Sequence, residues 1–269
     1  MSTRGKIRRA GSETGNSTVL NIAARAGFAA NGVLHLLLGY LSIRIALHHE
    51  GESDQSGALA QLAKLPGGTV ILWLLVAGFA ALGLWLLLQA SLGIGSSSKK
   101  RWVRSIVSLF KAIAYLALGW TALTFAMGGS TDATKSSRHT SGTILALPGG
   151  QLLLIAVGLV TAGIGGYFIY KGARQKFKDD ITVPQEPARR AVLALGVAGY
   201  VAKGVAVVTV GILFIVAAVR VNPKDGSGLD GALKALTALP FGQIILVVVG
   251  VGLIAYGVYS FARAKLARL

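Results

Sequence analysis

The chain reads as an all-α integral membrane protein of six transmembrane helices, arranged as three tandem helical hairpin repeats with a pseudo-threefold relation. Three observations predict this class. Of 269 residues, 53% are hydrophobic and only 14% are charged, with a mean hydropathy of +0.64; soluble domains carry roughly a quarter charged residues. Six apolar runs, about 22–47, 68–93, 103–127, 150–172, 191–219 and 241–263, each reach the roughly 20 residues that cross a bilayer core, and none contains Asp or Glu. Finally, a Leu-Pro-x-Gly sequence occurs three times, as Leu65-Pro66-Gly67-Gly68, Leu147-Pro148-Gly149-Gly150 and Leu239-Pro240-Phe241-Gly242. Seventeen positions after Pro66, Pro148 and Pro240 stand Gly83, Gly165 and Gly257. That coincidence marks a unit copied three times.

Residues 1–21 form a basic tail. The first apolar run is roughly 40 Å long as a helix, longer than a signal-peptide core, and reads as an uncleaved first span. Each repeat (22–93, 103–172 and 191–266) is then a helix, an external loop, a short amphipathic piece, and a second helix opened by Leu-Pro. In the first helices, Gly27-Phe28-Ala29-Ala30-Asn31-Gly32 aligns with Gly199-Tyr200-Val201-Ala202-Lys203-Gly204 and with a worn copy, Val107-Ser108-Leu109-Phe110-Lys111-Ala112. Gly39, Gly119 and Gly211 follow at the same offset. Gly32 and Gly39 are seven apart and share a helix face, where small residues let helices approach closely in lipid. The short pieces are 57–65, 231–239 and a shorter one, 141–147. Their apolar spacing predicts helices lying in the external interface, and proline there ends one helix and starts the next at no hydrogen-bonding cost. Linkers at 94–102 and 173–190 separate the units; the second carries Pro184 and Pro187 and is expected to act as a hinge.

The net charge is +17. With the six spans in place, 18 Lys and Arg fall on the side of the two ends and linkers and seven on the other, so both termini are expected in the cytoplasm. The basic excess is positive-inside flanking that attracts anionic lipid headgroups; no nucleic acid is expected as a partner.

The glycine, aromatic, x, small, Lys/Arg/Asn, glycine motif, followed by a loop and Leu-Pro-Phe/Gly-Gly, resembles the repeat of the bacterial membrane family catalogued as domain of unknown function 1206. The resemblance covers roughly 22–266. It implies three two-helix repeats in the bacterial plasma membrane, and it implies no catalytic or ligand residues.

The sharpest constellation is Asn31, Lys111 and Lys203, at equivalent positions of three equivalent helices, with His35 and Tyr115 one turn on from the first two. A lysine at the centre of a membrane helix costs about 2.5–3.5 kcal/mol on insertion scales. Converging, these residues would suit an anionic group such as a lipid phosphate. The plainer alternative is that each lysine snorkels to the headgroups along its aliphatic stem. The loop from His48 to Asp54 carries metal-capable side chains without a fixed ligand spacing and reads as a solvated loop, so no metal is expected. Gly226–Gly231 matches G-x-G-x-x-G but follows a membrane span, where the dinucleotide motif needs a strand. Asn16-Ser17-Thr18 fits a glycosylation sequon on the side expected to be cytoplasmic. With no cysteine, no Ser-His-Asp set and no P-loop, neither an enzyme nor a cofactor is expected. The leading expectation is a non-enzymatic accessory or organising component of a membrane complex or envelope lipid system, with membrane lipids, and a membrane protein or a second copy, as partners. The alternative is a small transporter or channel for an anionic or amphiphilic solute.

Overall fold

The computed structural model describes residues 18–47, 52–92 and 101–268. Among them nine α-helices follow in order: α1 (Thr18–Ala46), α2 (Gln55–Ala63), α3 (Gly68–Leu92), α4 (Arg101–Ala126), α5 (Ala133–Leu145), α6 (Gly150–Ala173), α7 (Ala188–Val219), α8 (Gly228–Thr237) and α9 (Gly242–Leu266). Short 3-10 turns lie at Lys176–Asp180 and Pro223–Asp225. The helices α1, α3, α4, α6, α7 and α9 are long and apolar enough to cross a membrane. Each repeat contributes two of them, with α2, α5 or α8 between.

The Leu-Pro-x-Gly sequence is the turn that reverses the chain from each short helix into the next long one. The amide of Gly68 donates to the Leu65 carbonyl at 2.9 Å, Gly150 to Leu147 at 2.8 Å and Gly242 to Leu239 at 2.8 Å. The residue after the proline is left-handed each time, with φ of +76° at Gly67, +73° at Gly149 and +60° at Phe241. Proline second and positive φ third define a type II turn. The last glycine is needed for space: a Cβ there would run into the carbonyl of Leu62, Ile144 or Leu236. The third copy therefore keeps its packing glycine but places a phenylalanine where glycine is at ease.

The glycines shared by the repeats form seams between units. A Cβ at Gly32 would meet the Gly257 carbonyl at 3.0 Å, and one at Gly257 the Gly32 carbonyl at 2.9 Å. The same reciprocal approach pairs Gly39 with Gly250, Gly204 with Gly165, and Gly211 with Gly158. At the seam between the first and second units Gly83 faces Leu116 and Ala112, while Gly119 faces Phe79. Each unit's first helix thus packs on the second helix of the preceding unit, α1 on α9, α4 on α3 and α7 on α6, and these are the most extensive contacts in the bundle. Within units, α1 packs on α3 and α7 on α9, whereas α4 and α6 hardly touch. The six long helices form an open ring, α4-α3-α1-α9-α7-α6, with its gap inside the second unit.

One face of the ring is capped by the short helices. Asp54, almost fully buried, accepts from the Gly57 amide at 2.9 Å as the N-cap of α2, and from the Thr134 hydroxyl of α5 at 3.2 Å. The Ser53 amide donates to Asp230 of α8 at 2.8 Å, and the Ser137 hydroxyl to the Gly226 carbonyl at 2.8 Å. The three short helices are therefore stitched into one cap. The middle one, expected to be the shortest, is the longest. Asp132 accepts from the Lys135 amide at 2.8 Å and starts α5 upstream of the apolar stretch, in polar sequence where periodicity gives no signal.

The opposite face carries the terminal ends of α1 and α9 and the 174–187 linker. That linker is packed, where a hinge was expected. Phe177 and Ile181 are fully buried, the Thr182 amide donates to the Leu266 carbonyl at 2.7 Å, and the Arg268 amide to the Asp180 carbonyl at 3.1 Å. Phe177 stacks on Tyr200 at 5.5 Å and meets Tyr259 edge-on at 5.3 Å.

Candidate functional site

Asn31, His35, Lys203 and Ser260 gather around Tyr256 between α1, α7 and α9. Asn31 donates through Nδ2 to Ser260 Oγ at 3.2 Å, and Ser260 donates on to the Tyr256 carbonyl at 2.8 Å. Asn31 therefore works as polar glue across the α1·α9 seam. His35 Nδ1 lies 2.8 Å from the Asn31 carbonyl; a carbonyl only accepts, so Nδ1 carries the proton. Its ring tilts against Tyr256 at 4.6 Å.

Lys203 projects from α7 between two aromatic faces, its Nζ 4.4 Å from the Tyr256 centroid and 5.3 Å from that of Phe168. Cation–π contacts of this kind compensate an ammonium removed from water. Lys203 also lies within electrostatic range of His35. Lys111 is uncovered on α4, yet within range of Arg263, Lys171, Asp180 and Tyr256 from three other parts of the chain. Tyr115, partly buried, stacks on Phe79 at 6.1 Å and sits in range of Tyr256 and Arg263.

Sequence reasoning missed three members. Arg263 near the end of α9 lies over the Phe28 ring at 4.4 Å and pairs with Asp180 at 3.6 Å. Lys171 near the end of α6 also pairs with Asp180, and Tyr256 is the aromatic hub. Both cations were counted as positive-inside flanks, a signal that does not distinguish headgroup anchors from inward groups. The result is three cations, Lys111, Lys171 and Arg263, around one carboxylate, Asp180, which arrives from the linker, with Lys203 beside Tyr256. The Arg263 Nε is buried without a hydrogen-bond partner.

Carboxylates collect on the capped face. Burial, and then the neighbouring Asp54, Asp132 and Asp230, hold Glu52 above the usual carboxylate range. Burial, reinforced by Asp230, does the same to Asp54. The Lys135 amide holds Asp132 below it. Among the described residues no group of three His, Asp or Glu is placed to hold a metal; His48, His49, Glu50 and Gly51 lie outside them, as do Asn16 and Ser17. Gly226–Gly231 forms the approach to α8 and its first turn, with no preceding strand.

Together these features define a multi-pass membrane protein built from three helical repeats around a cation-rich interior. The chain belongs to the family described as Domain of Unknown Function (DUF1206), whose pattern matches it three times, over 26–93, 106–175 and 198–267. It is similar to an uncharacterized protein of Bacillus subtilis (strain 168), YxxB, at 32% identity over 247 residues, which cover 89% of this chain and 88% of that protein. No solved structure matches it.

Proposed function

We propose that this protein is a non-enzymatic organising component of the bacterial plasma membrane that binds anionic lipid through the cations inside its terminal face. The observation that carries this reading is the imbalance of the cluster: Lys111, Lys171 and Arg263 share a single acidic neighbour, Asp180, and Lys203 faces the Tyr256 and Phe168 rings. Cations that outnumber their acidic partners at membrane depth are costly, and a phosphate supplies the missing charge. The distribution of Lys and Arg turns this face to the cytoplasm, whose leaflet is rich in anionic headgroups. The hydrogen-bonded cap on the other face favours binding over passage, because a carrier would have to break it in each cycle.

The test is native mass spectrometry of the full-length protein, purified in mild detergent with phosphatidylglycerol and phosphatidylcholine supplied equally. The Lys111→Met/Lys203→Met variant is expected to insert and fold normally, since removing the charges removes an insertion cost, and to lose its preference for phosphatidylglycerol. An unchanged lipid profile refutes the reading.

A further inference from the structure

The gap in the ring follows from residues that distinguish the second unit. In units 1 and 3 the two helices of a hairpin meet through small residues. A Cβ on Gly78 would meet Ala30 Cβ at 3.0 Å, a Cβ on Gly252 would collide with Ala202 Cβ, and one on Gly199 would lie 2.6 Å from Tyr256 Cα. Counted from the aligned motifs, the corresponding residues of unit 2 are Val107, Phe110 and Ala114 on α4 and Val157, Val160 and Ile164 on α6. All six are exposed, Phe110 by 69% and Val160 by 63%, whereas their counterparts in both other units are all buried. Valine and phenylalanine thus stand where Gly27, Gly199, Ala30 and Ala202 allow close approach, and the second hairpin stays open. One end of the opening meets Lys111, with Lys171 and Arg263 near it.

We infer that the open second hairpin is a lateral slot for one anionic glycerophospholipid, its phosphate at Lys111, Lys171 and Arg263 and an acyl chain between α4 and α6. The inference rests on the anionic-lipid reading above and adds where the lipid sits and how it enters. Charge complementarity selects the occupant, since the cations at the end of an apolar slot match a molecule with a phosphate at the end of an apolar chain. The repeats themselves argue against a partner helix. Units 1 and 3 show what this fold places at the closest approach when a helix fills that face, Gly27, Ala30 and Gly78 or Gly199, Ala202 and Gly252, and unit 2 has Val107, Phe110 and Val160 there. Large side chains keep helix backbones apart in lipid, whereas a flexible chain threads among them.

The test uses full-length protein in vesicles containing phosphatidylglycerol or phosphatidylcholine with a photoreactive acyl chain. Bulk lipid is stripped with mild detergent, the retained lipid is counted by native mass spectrometry, and adducts are mapped after irradiation. Retained phosphatidylglycerol is expected to mark 107–114 and 157–164, and to exceed phosphatidylcholine about fivefold for each productive cation contact. Val160→Trp, and from the opposite wall Ala114→Trp, fill the slot at positions the chain leaves uncovered; each is expected to keep the unfolding midpoint and to lose both the adducts and the retained lipid. If both tryptophan variants retain phosphatidylglycerol while Lys111→Met/Lys203→Met loses it, the headgroup site stands and the slot is overturned. If no variant changes retention or preference, both readings fall. A co-purifying membrane protein that shields the slot from labelling also overturns it.

Discussion

Replacing Gly165 by alanine adds one methyl group against the backbone of α7. The new Cβ would lie 2.6 Å from the Val208 amide nitrogen and 2.8 Å from the Gly204 carbonyl oxygen, against an optimum of about 3.5–4.0 Å between non-bonded carbons. Backbone atoms cannot swing aside as a flexible side chain does, so α6 and α7 must separate locally by about an ångström. A gap of roughly 0.5–1 Å forfeits a quarter to a half of each contact across it, and overpacking of this kind costs about 1–3 kcal/mol. Alanine also gains about 1 kcal/mol of helix propensity over glycine, which would mask part of the loss. Gly166, the next residue, supplies the correction, because a Cβ there meets nothing within 4 Å. The propensity gain is common to both substitutions, so the difference between Gly165→Ala and Gly166→Ala isolates the steric cost of about 1–3 kcal/mol. It is measured as detergent-induced unfolding of the full-length protein, followed by helical circular dichroism. Ala162 would not serve as the control, since it lies on the same seam opposite Gly211. Equal stabilities for the two variants would refute the seam and the pairing of units built on it.

Phe241→Gly relieves a left-handed residue, which costs a side chain about 1–2 kcal/mol, and should raise the unfolding midpoint; a fall would show that the 80% exposed ring earns more as an interfacial anchor. Asp54→Ala removes the N-cap of α2 and the bond from Thr134 and should cost about 1 kcal/mol, whereas Asp54→Asn should retain most of the cap. The pH dependence has a definite sign. Burial holds Asp54 and Glu52 above their ordinary values, so the folded state binds more protons and stability falls as pH rises from about 4 through the raised values. The drop in midpoint between pH 4.5 and 7 should shrink in Asp54→Asn; Asp132 works in the opposite direction, and an unchanged drop would assign the effect elsewhere. For topology, single cysteines at Ser136 or Lys224 in this cysteine-free chain should react with an impermeant thiol reagent in intact cells while one at Gln185 should not, and the reverse pattern would invert the orientation.

The spans, the three-unit repeat and the Leu-Pro-x-Gly turns were legible in the chain itself. Each depends on local physics: apolar length against bilayer thickness, and a proline and a glycine that together call for a tight turn. The seam glycines Gly83, Gly165 and Gly257 were legible as a face, though not as a partner, because spacing tells which side of a helix is small and nothing about what lies against it. Pairing was decided in three dimensions. Gly165 meets Gly204 across a unit boundary, while Val107 and Val160 hold the second hairpin open. The lysines were visible for the same reason the spans were, as charges in apolar sequence. Their setting was not, because Asn31 finds Ser260, Lys203 finds Tyr256, and Asp180 reaches Lys171 and Arg263 only once α9 and the linker close beneath the bundle. A sequence records how much each residue dislikes lipid; which polar groups share that burden depends on distances that packing alone sets.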